Sequence, residues 1–255
     1  MAHDESNEPS ESADTSAAQA YEVQEDVVET DIGSSGTIKS RVTTIIAAIL
    51  PFIQSIPPMA IWGGLMTIPL LSYLALMFTS SPMTFLGALI SLFFGGFVWE
   101  LAIAVIGVAL VVYSVLHLRR SKHSGLVKNG PYGLVRHPQY LGVILFTMTL
   151  TTRSYWIITN TFGMGFLGPT ETLMVWFATL FAYVVLASVE ELHLSKSFGN
   201  EYQDYRREVG FMWPYLKTES RIVEILVTVV VSALLLFGIV YLNAMLLYPP
   251  PFLTW

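Results

Sequence analysis

Apolar residues run almost without interruption over positions 42–79 and 83–118, and again over about 139–157, 172–192 and 222–247. Runs near twenty residues suit helices that cross a hydrocarbon core of ~30 Å at ~1.5 Å per residue. Inside lipid the backbone must satisfy its polar groups within one segment, which favours helices over isolated strands. The first two runs are too long for single straight spans, so each is expected to break. Pro51 and Pro57-Pro58 are the natural points in the first, and Gly95-Gly96 in the second. The pattern predicts an all-α fold, a polytopic integral membrane helical bundle.

Composition agrees: 53% hydrophobic against 13% charged, with a mean hydropathy of +0.58, is a membrane-protein balance. The net charge of -6 misleads, because ten of the nineteen acidic residues fall in the first 31 positions. Residues 42–255 hold eleven basic and nine acidic side chains and are nearly neutral. The Ser-, Glu- and Asp-rich opening has too few large apolar residues to offset ordering entropy, so residues 1–41 are expected to be a disordered acidic tail. A cleaved signal peptide is not expected, since no charged segment followed by an apolar one opens the chain. The absence of cysteine excludes disulfides, thiol catalysis and thiolate metal sites. The five histidines show no metal-ligand spacing, so no metal is expected. Nucleic acid is not an expected partner, because the basic residues flank helices instead of forming a stripe.

Basic residues set the expected topology. Lys39 and Arg41 precede the first run, Arg119, Arg120, Lys122, Lys128 and Arg136 follow the second, and Arg206, Arg207, Lys217 and Arg221 separate the last two. Placing all three groups in the cytoplasm requires an even number of crossings between 42 and 118, two long or four short. Arg153 is the basic exception, near an outer end. The stretch 119–140 and the pair Glu190-Glu191 then meet on the cytoplasmic side, with Ser195–Leu216 able to fold over them as a cap. The expected site is a cytoplasmic-facing pocket that also opens sideways to lipid.

Several residues there carry chemistry. Gly130-Pro131 supplies a tight turn, Tyr132 a stacking face, and His137 and Tyr140 polar groups one turn apart, a set that suits a flat heterocycle with a charged tail. Pro138 suits the first turn of a helix. Glu190 and Glu191 lie against the macrodipole at an expected helix end, so they call for a cationic partner, either Arg136 or a ligand ammonium or sulfonium. Glu100, inside the second run, reads best as the cap of a helix restarting after Gly95-Gly96.

The order Leu-Val-x-x-Gly-Pro-Tyr-x-x-x-Arg-His-Pro-x-Tyr-x-Gly, then Glu-Glu-x-x-Leu, then Phe-Gly-x-Glu-Tyr-x-x-Tyr resembles the isoprenylcysteine carboxyl methyltransferase family and its phospholipid methyltransferase relatives. The resemblance covers about residues 100–216, the expected methyltransferase core. It leaves 42–99 as additional N-terminal helices and 217–255 as a C-terminal helix and tail. It implies an integral-membrane methyltransferase that takes S-adenosyl-L-methionine from the cytosol and a lipophilic or lipidated acceptor from membrane lipid. By matching positions, Ser124, Gly125, Leu126 and Val127 would follow the cofactor, Tyr132, His137, Pro138, Gln139 and Tyr140 would enclose it, and Glu190 would hold its amino-acid portion. Arg136 and Glu191 are the next candidates, for catalysis. The family pattern departs at Leu186, where the isoprenylcysteine enzymes carry an Arg that holds the substrate carboxylate. Arg206 from the cap is the expected substitute, and a carboxylate acceptor is accordingly less well supported than methyl transfer itself. Two other readings remain: a NADPH-dependent membrane reductase of the sterol type, which shares Arg-His-Pro-x-Tyr, and a non-enzymatic membrane protein.

Overall fold

The computed structural model describes residues 58–121, 125–160, 166–218 and 220–247. The expected acidic tail, the breakpoints at Pro51 and Pro57, and Ser124 lie outside these residues. The chain divides into two units, Met1–Ile61 and Trp62–Trp255. The second unit is described below, with the opening turn of its first helix.

Among the described residues every regular segment of any length is helical: α1 (Pro58–Ser80), α2 (Pro82–Phe94), α3 (Val98–Arg120), α4 (Pro138–Asn160), α5 (Pro169–Phe198), α6 (Asn200–Glu208) and α7 (Arg221–Leu247). A short 3-10 turn at Gly130–Gly133 precedes α4. Five of these helices, α1, α3, α4, α5 and α7, are long and apolar enough to cross a membrane. The 13 residues of α2 are too few: at ~1.5 Å each they reach ~20 Å of a ~30 Å core. Between residues 58 and 118, then, two long helices flank one short one.

Local chemistry explains the boundaries. Ser81 caps α2 by accepting a hydrogen bond from the Thr84 amide at 3.3 Å, with Pro82 in the first turn. The long second run breaks at Gly95-Gly96, and α3 restarts at Val98. Pro138 and Pro169 open α4 and α5. One boundary differs from the sequence reading. The helix carrying Glu190 and Glu191 continues to Phe198 and stops at Gly199, whose φ of 52° only glycine adopts without strain. The glutamates therefore sit about two turns inside α5, away from the unfavourable end of its dipole.

Helix α4 is the central element. Two-thirds of its span (67%) is buried, against 11–39% in the other four, so α4 is surrounded by protein while the others present faces to lipid. It packs antiparallel to α3 along its length. Glu100 at the start of α3 meets Thr152 and Arg153 near the end of α4, and His117 near the end of α3 meets the 3-10 turn before α4. The two backbones touch where glycine faces glycine: a Cβ on Gly142 would lie 2.5 Å from the Gly107 carbonyl oxygen. Most threonines of α4 bond back to their own helix, as in Thr147 to Val143 at 2.9 Å and Thr149 to Phe146 at 2.8 Å, and Thr151 pairs with the Tyr73 hydroxyl at 2.8 Å. Their burial therefore leaves no hydroxyl unpaired. The core between α1, α4, α5 and α7 is built on Tyr73, Ile144, Met148, Trp176, Leu180 and Leu236.

The end of the bundle away from His137 holds a second buried polar cluster. Glu100 is fully buried and ion-paired with Arg153, and it accepts hydrogen bonds from Thr152 (3.0 Å) and Asn243 (2.8 Å). Trp99 donates to Asn243 at 3.2 Å, and the Arg153 guanidinium lies 5.1 Å from the Phe97 ring centre. Glu100 does occupy the first turn of a restarted helix, but its carboxylate caps nothing; it neutralises Arg153, 53 residues away. Gly96 makes room, since a Cβ there would lie 3.2 Å from Arg153 Nε.

Candidate functional site

The site forms where the chain arrives at α4. Residues 135–137 run extended beside 210–211: Val135 bridges Gly210 in parallel, the Arg136 amide donates to the Gly210 carbonyl (2.9 Å) and the His137 amide to Phe211 (3.3 Å). The His137 carbonyl then accepts the Leu141 amide at 3.1 Å, so His137 stands immediately ahead of the first turn of α4. From the other side, α6 folds back over this segment. Tyr205 donates its hydroxyl to the Tyr132 carbonyl at 2.7 Å, and Tyr202 and Tyr205 are both buried, packed with Leu126.

Charges concentrate beneath that cover. The Arg136 guanidinium, 4% exposed, lies between two carboxylates: Glu191 at 2.6 Å and Glu224. Glu224 also holds Arg206 at 3.2 Å, and Glu191 lies 3.9 Å from Arg221, which donates to the Ser188 carbonyl. His137 is sandwiched between the glutamates, with Nδ1 3.4 Å from Glu190 and Nε2 3.4 Å from Glu191. Its ring stacks on Tyr140 at 5.5 Å and meets the edge of Phe211 at 5.2 Å. Burial alone would lower the His137 pKa, but the combined hydrogen bonding and charge of Glu190 and Glu191 outweigh it and raise it. Burial, reinforced by the Glu190 charge, pushes the Tyr132 phenol well above its ordinary range, and burial likewise raises Tyr202 and Tyr205. These phenols remain protonated at neutral pH and serve as donors and stacking faces.

Glu190 differs from its neighbours. Of the three carboxylates it alone has no guanidinium partner among the described residues, it is partly open, and its buried Oε2 makes no well-directed hydrogen bond beyond the 3.4 Å contact with His137 Nδ1. The hydroxyl of Tyr140 and the amide nitrogen of Gln139 are also buried without a well-directed hydrogen bond, and Nδ1 of His137 has only its 3.4 Å contact with Glu190. The other face of Gln139 accepts the Tyr132 hydroxyl at 3.2 Å. Buried polar atoms left open in one neighbourhood are uncommon in folded chains and mark a place where a ligand or ordered water completes the set.

No family model, curated protein or solved structure matches this chain.

Arg136, His137, Gln139, Tyr140, Tyr132, Glu190, Glu191 and Arg206 are brought together, with Pro138 as the first residue of α4. Gly125, Leu126 and Val127 lie on the approach to the 3-10 turn. Gly125 is exposed with φ 76°, and Leu126 is tucked under α6. Arg206 does reach the site from α6, but it is held by Glu224. The sequence reading missed Glu224 and Arg221, because the last helix lay outside the resemblance. A carboxylate at the third position of an apolar run is itself the signal that finds Glu224, since an ionisable group in a span calls for a buried partner.

Proposed function

We propose that the chain is an integral-membrane methyltransferase that binds S-adenosyl-L-methionine against Glu190, His137 and Tyr140 and transfers its methyl group to a lipophilic acceptor. The observation that carries this reading is the open state of Glu190. It is a carboxylate with no guanidinium partner among the described residues, whose buried oxygen makes only the 3.4 Å contact with His137 Nδ1 and no well-directed hydrogen bond, beside the Tyr140 hydroxyl, the open amide nitrogen of Gln139 and the aromatic faces of Tyr132 and Tyr140. That set offers a negative group for the cofactor's ammonium, polar atoms for a heterocycle and rings to stack on it. Arg136 and Glu191, already paired with each other, act as positioning residues: they fix His137 and the wall of α5.

Bound there, the cofactor supplies an activated methyl group on sulfur. The protein's part is to orient the acceptor in line and to exclude water, which requires no protein nucleophile. The three guanidiniums at the site are each engaged by Glu191 or Glu224, which favours an acceptor that needs no free arginine over a carboxylate.

Calorimetric titration of the detergent-purified protein with S-adenosylhomocysteine tests the reading. Saturable binding is expected, abolished by His137→Ala and weakened roughly tenfold to a hundredfold by Glu190→Gln, which removes a charge-assisted contact of about 1.5–3 kcal/mol. Absence of binding to folded protein, or equal affinity in Glu190→Gln, overturns it.

A further inference from the structure

Beside the covered site, on the outer side of Arg206, a cavity of about 470 Å³ opens between α6 and the loop that leads into α7. Its lining is Gln203, Arg206, Arg207, Lys217 and Thr218: three cations, two neutral hydrogen-bonding side chains and no carboxylate. The cations are only lightly compensated. Glu224 holds Arg206 from its buried side at 3.2 Å. Asp204 is 3.8 Å from Arg207, with both side chains more than two-thirds exposed, a pair that water and salt largely screen. Lys217 has no ion pair among the described residues.

Two further features favour an anion here. The 27-residue helix α7 begins at Arg221, just beyond Thr218, so the positive end of its dipole adds to the same rim. The chain on either side of Lys217 and Thr218 also carries exposed apolar side chains: Tyr215 is 84% exposed and Ile222 is 71% exposed, with Leu216 next to Lys217 in sequence. Tyr215 holds φ at 65°, a conformation that costs a non-glycine residue about 1–3 kcal/mol. Outward aromatic and aliphatic groups on either side of a lysine are the pattern of a segment lying where hydrocarbon gives way to headgroups.

We propose that this cavity binds a phosphate-bearing anion, the headgroup of a net-anionic membrane phospholipid, between Arg207, Lys217 and the outer face of Arg206. The site is independent of the methyl-transfer reading. Because Arg206 also holds Glu224, an occupied cavity ties α6, the cover of the His137 site, to the bilayer surface.

The test uses the full chain in nanodiscs of phosphatidylcholine with and without phosphatidylglycerol, reading co-purified lipid by mass spectrometry and the melting midpoint. Phosphatidylglycerol is expected to be enriched around the wild type and to raise its midpoint. The exposed double variant Arg207→Gln/Lys217→Gln should melt normally in phosphatidylcholine and lose the enrichment by roughly tenfold to thirtyfold, the worth of two interfacial cations at about 1 kcal/mol each. The charge-retaining Arg207→Lys/Lys217→Arg variant should keep it. If inorganic phosphate raises the midpoint of wild type but not of the Gln variant, while phosphatidylglycerol does nothing, the anion site stands and its lipid source is overturned. Equal enrichment in wild type and the Gln variant overturns the site.

Discussion

At the scale of single residues, the site is organised by which cation each carboxylate holds. Glu191 and Glu224 clamp Arg136, and Glu190 is left with His137. A buried cation flanked by two anions is stable only while the set is complete, since removing one partner strands a charge at about 3–5 kcal/mol. His137 is the member through which pH acts on the set. Its pKa is raised above the ordinary 6.5 because Glu190 and Glu191 together outweigh the cost of burial. A raised pKa means that the folded state holds the proton more tightly than the unfolded chain. The stability gained is fully present below about pH 6.5 and is lost as pH rises through the raised value. Melting midpoints of the wild type should therefore fall with increasing pH above 6.5 more steeply than those of His137→Gln; parallel curves would show that His137 is not protonated in the fold.

At the scale of elements, the bundle depends on how closely α3 approaches α4. Replacing Gly142 by Val puts a branched side chain where even a Cβ would meet the Gly107 carbonyl at 2.5 Å and Val111 at 2.8 Å. The helices must separate, at a cost of about 1–3 kcal/mol, and the melting midpoint should drop. Gly63→Ala, where a Cβ meets nothing within 4 Å, should leave the midpoint unchanged or raise it slightly. An unaffected Gly142→Val midpoint would mean that the approach is not intimate.

Elements were legible in the sequence where punctuation was local: Gly95-Gly96 broke the second run, and Pro138 opened a helix. Two things were not. The continuation of α5 past residue 192 depended on Gly199 as the terminator, because nothing polar in Leu-His-Leu-Ser-Lys stops a helix on its own. The pairing of Glu224 with Arg136 joins residues 88 apart, and no local spacing encodes such a contact. The candidate residues of 132–140 and 190–191 were visible as a motif; which glutamate would be neutralised, and by what, depended on the fold.

At the scale of the whole unit, two buried ionic clusters mark opposite ends of α4: Arg136 and His137 at one, Arg153 with Glu100 at the other. Glu100→Gln leaves Arg153 buried without a counter-charge and should destabilise by about 3–5 kcal/mol. Glu100→Leu combined with Arg153→Met removes both charges and should lose less than the single change. Unfolding titrations in SDS compare the variants; a double variant weaker than Glu100→Gln would contradict the charge argument.

The spacing of those clusters also limits the bilayer. From Pro138, next to His137, to Arg153 is sixteen residues of continuous helix, about 23 Å from first to last at ~1.5 Å per residue. A typical hydrocarbon slab is ~30 Å deep, so the two ionic layers cannot both stand outside it unless the lipid thins around the protein. The mismatch is about 7 Å. It is absorbed by keeping the charged groups under cover, with Glu100, Arg136, Glu191 and Arg153 all below 5% exposure. Charges that lie closer together than the hydrocarbon is deep are thus tolerated because protein, not lipid, surrounds them.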